Sequence, residues 1–308
     1  MHKLWPLSFP KDRRTEMKKF LKSHGVAIVT SVVLSQAISA AGLAAYLQSD
    51  LYSQRFTEQI NTAVAAKEKV QIDEYKSSRF EDFKEAPASV PNDARIYGSL
   101  SARFTLAEFS DMECPYCKGL QGTLKEIVDR SNGAVNWQFR HMPLAFHNPA
   151  ATTEAHAAEC YSEQFGNQGF WVMVDEIFLK SGGNGAGLQD LEGAVRKLGA
   201  DMDKFQSCMA SNRYKDHILE QAKLGAKLGI TGTPATVVID NLTNKKMFVK
   251  GNQPRKEFID VMKQMLAESK ANEANAEAKS KGEDVDTGRV IGQQLLNQPS
   301  GKPAGADE

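Results

Sequence analysis

The sequence lacks the features that mark several common functional classes. Its 308 residues carry 38 basic and 38 acidic side chains, and a formal net charge of zero gives no electrostatic reason to expect a nucleic-acid partner. No Gly-rich phosphate-binding loop is present. Only four cysteines and six histidines occur, and no histidine forms a paired motif near Cys160 or Cys208, as a closed zinc site would require. We therefore predict no cofactor and no metal site.

The chain does contain one close pair of cysteines, in the run Cys114-Pro115-Tyr116-Cys117. The preceding segment at 103–110, RFTLAEFS, is typical of an apolar strand. The segment at 118–130 has apolar residues at helical spacing. Two thiols so placed can close a disulfide across the first turn of a helix, so the pair is predicted to be a reversible two-electron switch where a strand leads into a helix.

The start of a helix activates the first of these thiols. Unpaired N–H groups and the helix macrodipole favour negative charge there, so Cys114 is expected to have a lowered pKa and to act as the nucleophile. Pro115 suits the first helical turn, where its missing N–H costs nothing. Cys117, one turn further in, is placed to attack a mixed disulfide formed on Cys114. Half of a zinc or copper site and a purely structural disulfide are the alternative interpretations.

A second signal lies far downstream, where Thr233-Pro234 enters an apolar strand predicted at 235–239. Proline is tolerated as the first residue of a strand. From spacing alone, an ordinary proline between a loop and a strand is an equally valid interpretation.

Three segments together resemble a known family. EFSDMECPYCKGL, then AAEC at 157–160, then LGITGTPATVVID are similar to the DsbA-like thioredoxin-fold oxidoreductases of the bacterial cell envelope. The resemblance covers about residues 94–269. It implies an α/β thioredoxin fold with a central mixed sheet, a helical insertion at about 145–228, and a cis Thr233-Pro234 bond that faces Cys114.

The resemblance also implies roles for individual residues. Cys114 is the nucleophile and Cys117 the resolving thiol, while Thr233 and Pro234 offer the backbone with which a substrate peptide pairs. Glu108, six residues before Cys114, falls where thioredoxin-fold proteins often hold a buried carboxylate that relays the proton of the second cysteine. A solvent-facing strand residue is the alternative interpretation for Glu108.

The other two cysteines lie in helical patterns of the expected insertion. Cys160 and Cys208 are either two buried free thiols or a structural disulfide, and the even cysteine count favours the disulfide in an oxidising compartment. His141 and His147 follow a predicted strand and could flank the dithiol. Loop histidines are more often exposed or packed, so both are left outside the predicted catalytic set.

The segment at 25–49 contains no charged residue and is long enough to span a bilayer. Basic residues precede it, which predicts a cytoplasmic segment at 1–24 and a periplasmic location for everything after 49. These are Lys11, Arg13, Arg14, Lys18, Lys19 and Lys22. An uncleaved inner-membrane helix is the favoured interpretation, and a cleaved signal peptide that releases a soluble periplasmic protein is the alternative.

The remaining segments flank one folded domain, predicted at 94–270. Residues 50–93 are polar and helix-prone, and we interpret them as a stalk that could also pair two copies of the chain through residues 50–91. Residues 271–308 are rich in Ala, Glu, Lys, Gly and Pro, and are predicted to be a disordered tail because they offer little apolar area to bury.

The predicted function is thiol-disulfide exchange through the Cys-Pro-Tyr-Cys motif. Its partners would be cysteine-containing envelope proteins and a membrane or soluble redox partner. The Pro-Tyr dipeptide lacks the His of strong oxidases in the family, so oxidase, isomerase and reductase all remain open. The alternative function is a binding protein that uses the dithiol to hold copper or zinc, or to dock an envelope partner, without turnover.

Overall fold

The computed structural model describes residues 18–19, 22, 36–37, 39–91 and 94–280. The chain divides into two compact units after Gln71. Within the described residues, no helix is long and apolar enough to cross a membrane. Residues 25–35 and 38 of the predicted membrane segment at 25–49 lie outside the residues that the structure describes.

The predicted stalk contains one long helix, α1, at Asp50–Glu81. Phe56, Ile60 and Val64 repeat at helical spacing, and each of these side chains is about half exposed. The hypothesis that residues 50–91 pair two copies of the chain stays a prediction.

The second unit is built on a five-stranded mixed sheet in the order β1-β3-β2-β4-β5. The strands are β1 at Arg95–Tyr97, β2 at Phe104–Ser110, β3 at Val135–His141, β4 at Ala235–Asp240 and β5 at Lys245–Lys250. β2 pairs in parallel with β3 and antiparallel with β4, and the other pairs are antiparallel. The central position of β2 explains why six of its seven residues are buried, since both of its faces are covered.

Helix α2, at Pro115–Asp129, follows β2 and packs its apolar stripe on the sheet. Its buried residues are Cys117, Leu120, Leu124, Ile127 and Val128, which include all four apolar positions expected from the spacing. The strand-to-helix junction predicted around the close cysteine pair is therefore present.

All residues between β3 and β4 that have regular structure are helical. A short 3-10 turn at Ala145–His147 precedes α3 at Ala150–Lys180, α4 at Leu191–Lys197, α5 at Met202–Ser211 and α6 at Lys215–Lys227. Gly166 interrupts α3 with φ 67°, a value that glycine adopts without a Cβ penalty. The predicted α/β fold with a mixed sheet and a helical insertion is confirmed.

The final helix, α7, covers Arg255–Ser280 and buries Phe258, Met262 and Met265. It continues ten residues into the segment predicted as a disordered tail, so the prediction was wrong for residues 271–280. The sequence there is ANEANAEAKS, and Ala, Glu and Lys favour helix even where nothing is buried. Residues 281–308 lie outside the described part of the chain.

Candidate active site

Cys114 is the N-cap residue of α2, and Pro115 is the first helical residue. The Cys114 thiol is free and 4 % of the residue is exposed. A hydrogen bond from the Cys117 thiol lowers the pKa of Cys114 to about 6, and the N–H groups of Cys117 and Tyr116 act in the same direction, against the effect of burial. Half or more of the Cys114 side chains are therefore thiolate at neutral pH in the reduced protein.

The loop before β4 faces Cys114. The Thr233-Pro234 peptide bond is cis, and the Thr233 carbonyl oxygen lies 3.4 Å from Cys114 Sγ, as the family resemblance implies. Pro234 directly precedes β4, and its carbonyl accepts a hydrogen bond from the Gly251 N–H at 2.9 Å. A hydrogen bond with the buried Thr233 side chain also lowers the pKa of Cys114. A backbone segment and a hydroxyl donor therefore lie beside the reactive sulfur.

Cys117 lies completely buried beneath Cys114, on the core side of α2. Burial raises its pKa, and the neighbouring Cys114 and Glu108 raise it further. The Asp111 N–H donates to Cys117 Sγ at 3.4 Å. The two thiols thus differ in the way that exchange requires, with a thiolate at the outer position and a protonated reserve thiol inside.

Glu108 points into the interior of the protein, and the solvent-facing interpretation is wrong. The residue lies on β2, opposite Phe139 of β3 and Thr236 of β4, and is fully buried. Its carboxylate accepts hydrogen bonds from Trp137 Nε1 at 3.0 Å and from Gln121 Nε2 at 3.4 Å. Burial raises the pKa of Glu108 to about 7, so this group exchanges a proton near neutral pH.

Two acidic residues before Cys114, neither of them predicted as a site residue, hold the loop that carries it. The Asp111 carboxylate accepts from the backbone N–H groups of Glu113 at 2.8 Å and Leu144 at 2.7 Å, and it contacts His147 Nδ1 at 2.8 Å. His147 is therefore a buried support of this loop rather than an exposed flanking residue. The signal was the pair of acids in DMEC, because carboxylates directly before a helix N-terminus often accept backbone N–H bonds.

Glu113 anchors the same loop to the insertion. Its carboxylate accepts from the Ser181 hydroxyl and from the Gly187 N–H at 2.9 Å, while its own carbonyl accepts from the Asn184 N–H at 2.7 Å. Burial alone would raise the pKa of Glu113, but these hydrogen bonds lower it overall. Burial and the negative Glu113 raise the pKa of nearby Glu154 to about 8.

His141 takes part in a separate buried network. Its Nε2 lies 2.9 Å from Glu159 Oε1, and Arg95 forms an ion pair with the same carboxylate. Although burial opposes ionisation, His141 and Arg95 lower the pKa of Glu159 to about 2. Because Glu159 lies on α3 and its partners on β1 and β3, this network fastens the insertion to the sheet.

Cys160 of α3 and Cys208 of α5 form a disulfide with a Cα–Cα distance of 5.7 Å. The bond thus joins two helices of the insertion, which is the pairing favoured by the even cysteine count. Among the described residues, one group of at least three metal-ligating side chains converges, and it consists of His156, Cys160 and Cys208. That group contains neither thiol of the Cys114/Cys117 pair.

Comparisons with solved structures agree with this geometry. The crystal structure of Pseudomonas aeruginosa DsbA2 is 32% identical, with a TM-score of 0.52, and the match covers 57% of this chain and 96% of that one. Wolbachia pipientis alpha-DsbA1 is 20% identical with a TM-score of 0.50, over 60% of this chain and 96% of that one, and so supports the fold alone. The resemblance to DsbA-like proteins is confirmed.

The curated relatives include antiporters, which differ from the DsbA proteins among the solved structures. "Na(+)/H(+) antiporter NhaA 1" of Salinispora arenicola is 31% identical over 149 residues, which are 48% of this chain and 22% of the antiporter. The chain thus spans about a fifth of the length of that relative. A family model described as thioredoxin matches residues 91–251, more than half of the chain. The chain therefore belongs to the thioredoxin family.

Proposed function

We propose that this protein is a thiol-disulfide oxidoreductase that exchanges the Cys114/Cys117 disulfide with cysteine-containing substrate proteins. The observation that carries this proposal is the asymmetry of the pair. Cys114 sits at a helix N-terminus with its pKa lowered to about 6, while burial raises the pKa of Cys117. The asymmetry lets one sulfur attack or leave as a thiolate while the other stays protonated until it is needed.

Exchange proceeds through a mixed disulfide on Cys114 in either direction. When the protein oxidises a substrate, a substrate thiolate attacks Cys114, and Cys117 leaves as a thiolate that takes up a proton. When the protein reduces a substrate, the Cys114 thiolate attacks a substrate disulfide, and Cys117 loses its proton and displaces the substrate. Glu108, with a pKa of about 7, is suited to accept or supply that proton.

The surroundings of Cys114 suit an extended polypeptide substrate. The backbone at Thr233 and Pro234 borders the sulfur and can pair with a substrate strand, a mode in which main-chain hydrogen bonds give affinity without strict sequence requirements. Tyr116, between the two cysteines, is 69 % exposed and offers an aromatic contact beside the reacting atoms. Envelope proteins with cysteines, and a membrane or soluble redox partner, are the proposed partners.

The proposed location of the catalytic domain is the periplasm. Basic residues before the uncharged segment at 25–49 favour an inner-membrane helix with the domain outside, and signal cleavage would release the domain into the same compartment. The Cys160–Cys208 disulfide supports this proposal, because such bonds persist in oxidising compartments.

The alternative function, metal binding by the Cys114/Cys117 dithiol, receives less support. Among the described residues, no third His, Cys, Asp or Glu side chain completes a ligand group with these two thiols. Exchange therefore remains the chemistry that this pair suits best.

Trapping the mixed disulfide tests the proposal. Cys117→Ser protein should accumulate a covalent adduct with a cysteine-containing model peptide, because nothing remains to resolve the bond on Cys114. Cys114→Ser protein is the matched control and should form no adduct. Two results together would contradict the enzyme proposal: Cys117→Ser protein forms no adduct, and the reduced parent binds a metal ion tightly at 1:1 without exchanging disulfides. The protein would then be a metal-binding protein.

A further inference from the structure

A second cluster of potential ligands lies in the helical insertion. His156 and Cys160 are four residues apart on α3, so they share one face of the helix, and Cys208 of α5 meets that face. One ligand atom from each of the three residues lies within 4.8 Å of the other two, and all three residues are buried. Cys160 and Cys208 are joined as a disulfide, which leaves His156 as the member whose side chain has no evident task.

The His156 imidazole is in a state that suits a metal ligand. Its Nε2 is buried and has no hydrogen-bond partner in the described part of the chain. A buried polar atom without a partner destabilises the folded state, so its presence calls for an explanation.

A fourth ligand and a balancing charge are close by. Glu163 Oε1 lies 3.5 Å from Cys208 Sγ, and Arg213 Nη1 lies 3.2 Å from the same oxygen. Two thiolates and one carboxylate carry three negative charges. A divalent cation and the Arg213 guanidinium neutralise them. The three convergent ligands are buried, whereas Glu163 and Arg213 lie at the surface beside them, so the site leaves no unpaired charge in the interior.

We propose that the reduced form of this cluster is a zinc site, with Cys160, Cys208, His156 and Glu163 as its ligands. A dithiol reductant supplies two electrons and two protons, its own sulfurs become a disulfide, and the Cys160–Cys208 bond opens to two thiols. Zinc then displaces both thiol protons and binds the thiolates. The disulfide and the metal exclude each other, because a sulfur in a disulfide has no thiolate charge with which to bind zinc.

The ligand set and the backbone both suit this metal. Two thiolates, an imidazole and a carboxylate in a closed tetrahedral arrangement are typical of Zn²⁺. Zinc–sulfur bonds of ~2.3 Å place two thiolates about 3.8 Å apart. The Cα–Cα distance of 5.7 Å between Cys160 and Cys208 accommodates that separation, so α3 and α5 can hold either the disulfide or the metal.

The experiment uses the full chain with Cys114→Ser and Cys117→Ser, which removes the other thiol pair and keeps this test independent of the proposed exchange activity. After reduction and removal of the reductant, the protein is titrated anaerobically with Co²⁺ and then with Zn²⁺. We expect a 1:1 complex with the sulfur-to-cobalt absorption of a tetrahedral thiolate site, which zinc displaces. The oxidised form of the same protein should bind at least about 100-fold more weakly, because its sulfurs are not thiolates.

Two histidine variants decide whether the cluster is the site. His156→Gln should weaken zinc binding at least about 10-fold, since a ligand is lost. His217→Gln is the matched control, because the His217 ring also lies beside Tyr214 but is outside the ligand group, and it should bind zinc as the parent does. Equal affinity of the parent and His156→Gln, or a reduced protein that binds no zinc, would overturn the proposal.

If reduction unfolds the insertion before metal is added, far-UV circular dichroism will show the loss of helix. Since a structural zinc site contributes its binding free energy to folding, zinc should then restore the helical signal of the parent but not that of His156→Gln. A signal that zinc leaves unchanged in the unfolded parent would equally refute the site.

Discussion

The lowered pKa of Cys114 predicts how its reactivity depends on pH. The rate of Cys114 alkylation in the reduced protein should rise with pH through a midpoint near 6, because the hydrogen bond from Cys117 and the N–H groups of α2 stabilise the thiolate. The Cys117→Ser variant should shift this midpoint upward only in part, since the serine hydroxyl still donates. A midpoint near ~8.5, the value of a free thiol, would contradict an activated nucleophile.

The same thiolate predicts the pH dependence of the reduction potential. Below pH 6 the reduced pair binds two protons for two electrons, so the potential should fall by about 59 mV per pH unit. Above pH 6 only Cys117 is protonated, and the slope should halve to about 30 mV. Equilibration with glutathione buffers at several pH values measures both slopes. The absolute value of the reduction potential separates oxidase from reductase or isomerase. A single slope of about 59 mV per pH unit across pH 5 to 8 would show that Cys114 is not ionised in this range.

Glu108 should lower the stability of the protein as the pH rises from 4.5 through about 7. Because burial raises its folded pKa above the unfolded value of 4.5 to about 7, its contribution is fully present below pH 4.5 and is lost as pH rises through 7. Glu108→Gln keeps an oxygen that can accept from Trp137 and removes the ionisation, so it should gain about 3 kcal/mol of relative stability between pH 4 and pH 8.

Urea unfolding at the two pH values measures this effect. Glu126→Gln is the matched control, because Glu126 lies exposed on α2 in an ion pair with Arg130 and should show no comparable change. If Glu108→Gln and the parent respond equally to pH, Glu108 is not the titrating group. A slower resolution of the mixed disulfide in Glu108→Gln would support the proposed proton transfer.

The residues that could be predicted around the dithiol are those with a local signature. The Cys-Pro-Tyr-Cys run and Thr233-Pro234 are contiguous motifs, so the family resemblance identified them. Asp111, Glu113 and His147 act through contacts with Leu144, Ser181 and Gly187, and no periodic pattern encodes such pairings. The proposed ligand His156 lies four residues before Cys160, but its third partner, Cys208, is 48 residues further along the chain, so no local motif indicates the cluster.

Helices and strands with strong apolar patterns were predictable to within a few residues. The strand expected at 103–110 is β2 at Phe104–Ser110, and the strand expected at 235–239 is β4 at Ala235–Asp240. The C-terminal end of α7 was not predictable in this way, because residues 271–280 have little apolar area to bury. Helix propensity, worth a few tenths of a kcal/mol per residue, extends a helix that is already nucleated.

Two helical glycines give a matched test of how closely α6 approaches the sheet. A Cβ on Gly225 of α6 would lie 2.9 Å from a Phe109 ring atom and 3.1 Å from Met142 Sδ, whereas a Cβ on Gly122 of α2 meets nothing within 4 Å. Gly225→Ala should therefore lower the free energy of unfolding by about 1–3 kcal/mol through overpacking. Gly122→Ala should raise it by about 0.5–1 kcal/mol, because alanine favours helix.

Denaturant unfolding of both variants at neutral pH separates the two effects. Stabilisation by Gly225→Ala would mean that α6 can move away from β2 at little cost. Since α6 packs beside Phe109, two residues before Asp111, such a shift should also change the alkylation rate of Cys114 in Gly225→Ala but not in Gly122→Ala.

The way the insertion attaches to the sheet could not be derived from periodicity. Its helix α3 packs Phe170 and Trp171 against rings of β3. Charged and polar groups add further contacts, namely Glu159 with Arg95 and His141, and Asn167 with the backbone of Ile96. Buried polar residues look like surface residues in a hydrophobic pattern, so a period-based prediction places them in solvent. The resemblance to a known family supplied the architecture that the pattern did not.

The Cys160–Cys208 disulfide should be a major contribution to the stability of the whole domain. It closes a loop with a sequence separation of 48, which in the chain-entropy model stabilises the folded state by about 4 kcal/mol. Oxidised Cys160→Ala/Cys208→Ala protein should therefore unfold at a clearly lower denaturant concentration than the oxidised parent. Because the bond acts on the unfolded chain, reductant and a chelator should make the unfolding midpoints of the two proteins nearly equal. If the variant is less stable than the parent by the same amount under both conditions, the effect comes from cavities left by the two buried sulfurs. Packing, rather than the disulfide, would then stabilise the insertion.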